Sequence, residues 1–241
     1  MIRLSDIRKS YRDGENRLNG VLRGVNMEVE KGGFVAIKGP SGCGKTTLLS
    51  ILGTLLAPDG GMYLLNGADM TRTGANRPEV RNRQIGFVFQ NHLLMPQYTA
   101  FENILLPALA FASQTTREQS EYARELLELT RIPDTGNRYP HTLSGGEASR
   151  VAICRALIMK PVLLLADEPT GQLDAGNARN VASLLADINE RLGTTIVMAT
   201  HSDAVAGFAR RTLALRDGVL TEAEPEPEAA AHFQHDKHPI P

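Results

Sequence analysis

Long apolar runs are missing from this chain. The longest, Ile104 to Ala112, is interrupted by Pro107 and falls well short of the roughly 20 residues that a membrane-spanning helix needs. The first residues, Met1-Ile2-Arg3-Leu4-Ser5-Asp6, hold no apolar signal core. Any membrane role is therefore expected to come through a partner. Cysteine is scarce as well: Cys43 and Cys154 are the only two, and they offer no metal-ligand spacing. Reduced thiols in a reducing compartment are expected. A charge excess of either sign is also absent. The net charge of −1 argues against a dedicated nucleic-acid binder, which carries a basic excess or stripe, so no specific nucleic-acid partner is expected.

What the chain does have is a glycine-rich turn in a telling place. Gly39-Pro40-Ser41-Gly42-Cys43-Gly44-Lys45-Thr46-Thr47 lies between the apolar run Phe34-Val35-Ala36-Ile37 and a helix whose leucines recur at helical spacing. Small residues let consecutive backbone N–H groups turn inward around phosphates, and the new helix points its partly positive end at the same spot. Lys45 adds a mobile charge for the terminal phosphates, and the Thr46 hydroxyl is placed to ligate Mg²⁺. Strand, loop and helix in this order predict a nucleotide phosphate cradle. With 241 residues, 42% of them hydrophobic, the chain has room for one large domain or a core with a smaller insertion.

Elsewhere strand and helix patterns alternate. Ile2-Arg3-Leu4 and Val25 to Val29 alternate as half-buried strands, and Met62-Tyr63-Leu64-Leu65 runs into Asn66-Gly67, a hairpin signal. These predict a small antiparallel layer. Gln84 to Gln90, Val162 to Ala166 and Thr194 to Thr200 read as strands, the last two of the buried parallel type, so a mostly parallel α/β sheet is expected. Between Asn91 and Leu157 no strand run appears, and residues 117–129 place Ala123, Leu126, Leu127 and Leu129 on one helical side. The expected division is a core of residues 1–90 and 156–221 with an inserted helical subdomain at 91–155. Residues 222–241, where Glu222, Glu224, Glu226 and Glu228 stand among prolines and alanines, lack the apolar periodicity that offsets the cost of ordering. They predict a disordered tail, in which His232, His235 and His238 are spaced like a loose metal clip but, with no ordered scaffold around them, read as a solvated run.

A second serine-glycine turn opens a helix at Leu143-Ser144-Gly145-Gly146-Glu147, followed at helical spacing by Arg150 to Leu157. This is another potential anion site made of backbone N–H groups. One nucleotide does not obviously need two such cradles. Together with the phosphate loop and the segment Val162-Leu163-Leu164-Leu165-Ala166-Asp167-Glu168, the turn resembles the signature of the ATP-binding subunits of ABC transporters, over about residues 1–221. The resemblance implies a P-loop NTPase core of the ABC type, with ATP and Mg²⁺ as cofactors. It also implies a homodimer, in which Ser144, Gly145 and Gly146 of one subunit cap the γ-phosphate held by the other.

Further positions follow from the resemblance one at a time. Asp167 ends a buried strand, where parallel sheets place their ligands, and is expected to bind Mg²⁺ mostly through water, alongside Thr46. Glu168 resembles the residue that polarises the attacking water. The continuation Pro169-Thr170-Gly171-Gln172-Leu173-Asp174 matches the family's D-loop, whose aspartate, here Asp174, joins the two sites across the dimer. Gln90 resembles the Q-loop glutamine that meets Mg²⁺ and water and links the site to the membrane partner. His201 resembles the switch histidine that hydrogen-bonds the γ-phosphate. Tyr11 is similar to the aromatic that stacks on adenine, a plain surface tyrosine being the alternative. The implied reaction is hydrolysis of ATP to ADP and phosphate, carried by Lys45, Glu168, His201 and Gln90.

Three residues depart from the family pattern. Glu147 replaces the usual glutamine and brings a carboxylate towards a phosphate-rich interface, which weakens closure or demands a compensating cation. Gln172 replaces a more common asparagine or small residue, and Lys38 stands where a small apolar residue often precedes the cradle. Cys43 sits at a helix start, where thiolate is favoured, or is a small filler like serine. Ala36-Ile37, Gly86 to Gln90, Asn103 to Pro107, Ala166 to Gly171 and Arg216-Asp217-Gly218 resemble the subgroup that serves lipoprotein release and macrolide-type export. That implies a separate permease with few transmembrane helices and a peripheral place on the cytoplasmic face of the bacterial inner membrane. Its docking surface is expected around Gln90 to Glu102, where Leu93, Leu94, Met95 and Phe101 serve either docking or packing. The cell-division ABC ATPase, which regulates wall hydrolases through a membrane partner, has similar motifs and remains the alternative. Soluble ABC proteins of DNA repair or translation carry paired nucleotide domains or large insertions, for which 241 residues leave no room.

Overall fold

A computed structural model describes residues 1–12, 14, 16–72 and 77–223. Glu224, Glu226, Glu228, His232, His235 and His238 lie outside the described residues. In chain order the first half comprises β1 (Ile2–Arg12), β2 (Leu18–Val29), β3 (Phe34–Lys38), α1 (Lys45–Leu52), β4 (Gly60–Leu65), β5 (Ala68–Asp69), α2 (Arg77–Gln84) and β6 (Ile85–Val88). The second half comprises α3 (Ala100–Leu109), α4 (Arg117–Leu129), α5 (Gly145–Leu157), β7 (Leu163–Asp167), α6 (Ala175–Leu192), β8 (Thr195–Thr200), α7 (Asp203–Ala206), β9 (Arg211–Arg216) and β10 (Val219–Glu222).

Two sheets result. The antiparallel one has the order β2-β1-β4-β5, and its register sets Leu4 opposite Met27 on one side and Tyr63 on the other. Alternation turns Ile2 and Leu4, and Val25, Met27 and Val29, inward, and an irregularity between Leu4 and Ile7, with Asp6 at positive φ, brings Ile7 to the same side. The second sheet has the order β10-β9-β3-β8-β7-β6, parallel except for the β9–β10 hairpin. Strands β7 and β8 are buried along their whole length, as befits parallel strands covered on both faces. Successive residues feed two separate cores. Phe34, Ala36, Leu164, Ala166, Ile196 and Met198 pack with the helices α3 to α6, while Val35, Ile37, Leu163, Leu165, Val197 and Ala199 pack with α1 and the antiparallel sheet. The fold is therefore a mixed α/β cassette: a mostly parallel core, a small antiparallel layer and a helical layer, as expected.

Local chemistry starts the helices. Thr99 with Glu102, Thr116 with Gln119 and Ser144 with Glu147 form reciprocal capping boxes on α3, α4 and α5, and Asp174 caps α6. On α4, Ala123, Leu126 and Leu127 are buried and Leu129 packs beside them.

Several boundaries differ from the sequence reading. The strand expected over Gln84 to Gln90 is only Ile85–Val88: Gln84 closes α2, and Phe89 leaves the sheet to stack on Phe87 at 4.2 Å. Helix α2 buries none of its residues, so no apolar stripe announces it. The boundary read between residues 155 and 156 falls inside α5, which runs unbroken to Leu157. Glu222 belongs to β10 and ion-pairs with Arg211, so the last strand runs one residue into the segment read as tail. The hairpin of β9 and β10 turns on Asp217 and Gly218, both at positive φ.

Gly86 marks the tightest junction. A Cβ there would lie 2.2 Å from the Ala156 carbonyl oxygen, because the end of α5 rests directly on β6. Gly86→Ala is expected to cost about 3 kcal/mol, the upper end for overpacking, since backbone must move. The check is the urea midpoint, which should fall with the slope unchanged.

Candidate active site

Strand β3 delivers the chain into the glycine turn, and the backbone there explains its composition. Gly42 and Gly44 have φ of 79° and 108°, a region that side chains rarely adopt. The Gly44 position also faces Val21, whose Cγ1 would lie 2.9 Å from an added Cβ. Cys43 is half-buried against the second core, which fits its reading as a small filler. Lys38, at the end of β3, is ion-paired with Asp203 in the first turn of α7, which accounts for a charge in that place.

Lys45, the first residue of α1, is buried, and its Nζ donates to the carbonyls of Gly39 at 2.7 Å and Pro40 at 3.1 Å. The same ammonium lies 3.7 Å from Glu168 Oε1. Glu168 follows β7 with φ of 47°, a left-handed conformation that costs a non-glycine residue about 1–3 kcal/mol. Its N–H donates to the Ala199 carbonyl at 3.0 Å, and its own carbonyl accepts from Gly171 at 3.0 Å, which hold it there. The carboxylate is thereby turned off the strand axis, and Oε2 meets His201 Nδ1 at 2.9 Å. Glu168 is thus bracketed: Lys45 stands at one oxygen and His201 at the other.

The strand order produces this bracket. β8 lies between β3, which feeds the glycine turn, and β7, which ends in Asp167. With Lys38 beside Thr200 and Asp167 beside Ala199, the residue just past β8 falls between the loop and Glu168. That residue is His201.

Asp167 is buried at the same sheet end. The Thr46 side chain stands beside its carboxylate, while Asp167 Oδ1 has no hydrogen-bond partner. Burial raises its pKa, and Thr46 and Lys45 oppose that rise only in part. A buried, orphaned carboxylate oxygen beside a threonine hydroxyl is a hard-oxygen donor set that fits Mg²⁺. Because the folded-state pKa lies above the unfolded one, ionised Asp167 disfavours the metal-free fold, and this penalty vanishes as pH falls below the ordinary carboxylate range. Asp167→Asn is therefore expected to melt higher than the parent chain in chelator at neutral pH. A gain of about 2–4 °C corresponds to about 1 kcal/mol in a chain of this size. Thermal melts at neutral and acidic pH check this; the gain should disappear at acidic pH.

Gln90 is exposed two residues beyond β6 and lies against the turn after Glu168: a Cβ on Gly171 would sit 3.2 Å from Gln90 Nε2. Gln172 donates to Asn91 at 2.8 Å and ties the same turn to the segment after Gln90, which gives the departing residue a local partner. Tyr11 lies near the end of β1, 44% exposed, with Lys9 Nζ 5.8 Å from the ring centre.

The second glycine turn stands apart. Ser144 caps α5, Gly145 abuts Leu173 and Gly146 abuts Asn177. Among the described residues, no hydrogen bond or ion pair of Ser144, Gly145, Gly146 or Glu147 reaches Gly39 to Thr47. Asp174 accepts from the backbone of Gly176 and Asn177 at 3.0 Å each and from Asn177 Nδ2 at 2.6 Å. These bonds, Asn177 foremost, hold its carboxyl below the usual range. Within one chain, then, Lys45, Thr46, Asp167, Glu168, His201 and Gln90 converge, whereas Tyr11, Ser144 to Gly146 and Asp174 do not join them.

Three residues that the sequence reading passed over tie these parts together. Ser149 donates to the Pro169 carbonyl at 3.2 Å, linking α5 to the turn after Glu168. Arg155 donates to the carbonyls of His92 and Leu93, at 2.6 Å each, linking α5 to the segment after Gln90. Arg138 ion-pairs with Glu147 at 2.8 Å. Only for Arg138 was there a signal, since a carboxylate at position 147 called for a cation. The segment after Gln90 also divides: Leu93 and Met95 are exposed, while Leu94 and Phe101 pack on the core. Leu93, Asn82, Phe89, Pro107, Arg155 and Met159 line a groove of about 290 Å³ between the parallel sheet and the helical layer.

A buried lysine at a glycine turn, a magnesium-type oxygen pair and a bracketed glutamate define a nucleoside-triphosphate hydrolase of the P-loop kind. Comparison with known proteins makes the class narrower. The sequence pattern of the family described as ABC transporter matches residues 22–171. The lipoprotein-releasing system ATP-binding protein LolD of Bacteroides thetaiotaomicron is 42% identical over 221 residues, covering 91% of this chain and 99% of that protein. The macrolide export ATP-binding/permease protein MacB of Syntrophobacter fumaroxidans is 45% identical over 234 residues, 96% of this chain but only 32% of that longer protein. The dimeric bacterial ABC transporter cassette MJ0796 superposes with a TM-score of 0.83 at 36% identity, covering 94% of this chain and all of that one. That cassette is also known as a dimer in a post-hydrolysis state bound to ADP and Pi, with a TM-score of 0.82 at 35% identity and the same coverage. The chain belongs to the ABC transporter family and is an ATPase of that family.

Proposed function

We propose that this chain is the ATP-binding subunit of a transporter of the lipoprotein-releasing or macrolide-export type, working as a homodimer beneath a separate membrane permease. The observation that carries the catalytic part is the placement of Glu168 between Lys45 and His201. In the resting chain Lys45 is occupied by loop carbonyls. Phosphate oxygens take over those bonds, so ATP enters a cradle whose cation is already in position. Glu168, relieved of Lys45, accepts a proton from the attacking water. Its bond to His201 Nδ1 leaves Nε2 outward, so a phosphate contact through an Nε2 N–H requires the imidazolium or release of Glu168. Thr46 and Asp167, with Gln90 at the rim, would hold Mg²⁺, which when bound neutralises charge on the phosphate oxygens.

The cradle formed by Ser144, Gly145 and Gly146 supports the dimer reading, because it is a helix N-terminus unconnected to its own chain's phosphate loop. A second chain supplies the triphosphate it would cap, and Asp174, at the adjacent α6 start, would lie between the two sites. Tyr11 would stack on adenine. The groove around Leu93 and Met159 would receive the permease, with residues 91–155 acting as the helical subdomain against the core of 1–90 and 156–221. No helix among the described residues is long and apolar enough to cross a membrane, which fits a peripheral subunit at the cytoplasmic face of the inner membrane. The test is recovery of the tagged chain from detergent-solubilised membranes with its copurifying subunit identified. A permease with a large periplasmic domain is expected, and substrate release in reconstituted vesicles should depend on ATP. A partner that binds wall hydrolases and moves no substrate would instead favour the division-module reading.

A further inference from the structure

Glu147 places a formal negative charge at the start of α5, where a helix otherwise attracts anions. The structure shows what surrounds it. Glu147 Oε2 accepts from the Ser144 N–H at 2.7 Å, and Oε1 accepts from Arg138 Nη1 at 2.8 Å. The second guanidinium nitrogen, Nη2, donates to the Thr142 carbonyl. Arg138 is itself anchored through its backbone: its N–H donates to Thr135 at 2.9 Å, and its carbonyl accepts from Ala100, the first residue of α3, at 2.8 Å. The guanidinium is therefore held over the Ser144 turn from two directions. Both oxygens of Glu147 are engaged on the side facing its own chain.

We propose that Arg138 is a positioning residue for the Ser144–Gly146 cradle. By neutralising Glu147 and drawing its carboxylate back onto the Ser144 N–H, it keeps the potential of the turn positive for a triphosphate presented by a second copy of this chain. This rests on the dimer reading proposed above. A glutamine at position 147 keeps the capping oxygen but presents N–H groups to Arg138, so the arginine and the glutamate form a matched pair. Removing Arg138 leaves a carboxylate facing phosphate; removing the carboxylate as well removes the repulsion.

The test uses the full chain carrying Glu168→Gln, with ATP-dependent dimerisation followed by sedimentation over a range of protein concentrations. Adding Arg138→Ala is expected to raise the concentration for half-dimerisation about tenfold, the effect of one uncompensated charge in a partly wet interface. The deficit should shrink at high salt. Adding Glu147→Gln to that variant is expected to restore dimerisation to within about twofold, as removal of a charge repulsion requires. Arg138→Lys, which keeps the charge, should lose less than Arg138→Ala. ATP binding to the monomer by calorimetry should not change in any of these, since the turn lies outside the chain's own phosphate loop. If Arg138→Ala dimerises as readily as its parent, or if Glu147→Gln fails to rescue it, Arg138 is only a structural support and the proposal is overturned. If Glu168→Gln itself does not dimerise with ATP, the dimer reading falls, and this proposal with it.

Discussion

Glu168→Gln is expected to bind ATP as the parent chain does, to hydrolyse it about 10³-fold more slowly, and to accumulate as an ATP-bound dimer. The substitution keeps the shape of the side chain and its contact with His201, but the amide cannot take a proton from water. It also removes the negative charge 3.7 Å from Lys45 Nζ, so the ammonium is freer to turn to phosphate. Binding is preserved while the chemical step is lost, and the closed state has no route to reopen. Single-turnover hydrolysis and size-exclusion chromatography with ATP check both halves. Turnover at the parent rate would remove Glu168 from the role of base. Loss of binding together with turnover would make it a structural residue.

Lys45→Ala is expected to lose nucleotide affinity and activity together. The ammonium is buried and fixed by the Gly39 and Pro40 carbonyls within reach of Glu168. Its bonds to phosphate would be charge-assisted, worth about 1.5–3 kcal/mol, so affinity should fall about 10–150-fold. Calorimetry with ATP gives the number directly. The variant also leaves Glu168 without its cation while His201 remains, so a modest loss of thermal stability should accompany the loss of binding. Unchanged affinity would mean that the glycine turn holds phosphate by its backbone alone.

Parts of the site that are local in sequence were legible from it. The phosphate loop could be read because its demands fall on consecutive residues: Gly42 and Gly44 supply positive φ, Lys45 the cation and Thr46 the hydroxyl. The buried parallel strands could be read because two covered faces require unbroken apolar runs, as Leu163 to Ala166 show. Helix α2 could not, since Arg77 to Gln84 offer only Pro78 and Val80 as apolar residues, and Val80 alone packs, half-buried, on the second core, too little for periodicity to show. The true length of β6 was hidden for a related reason. Phe89 looks like one more strand residue until Phe87 is seen stacking on it.

The chain's own letters determined that a glycine turn ending in Lys45 and Thr46, an acidic pair at a strand end and a second glycine turn exist, because each is specified by neighbours within a few positions. Tertiary structure decided which of them meet. Insertion of β8 between β3 and β7 brings His201 to Glu168, and Arg138, nine residues before Glu147 and beyond a separate turn, reaches back to neutralise it. Spacing along a chain carries no such information: the order of strands in a sheet and the reach of a long side chain are settled by packing over the whole fold.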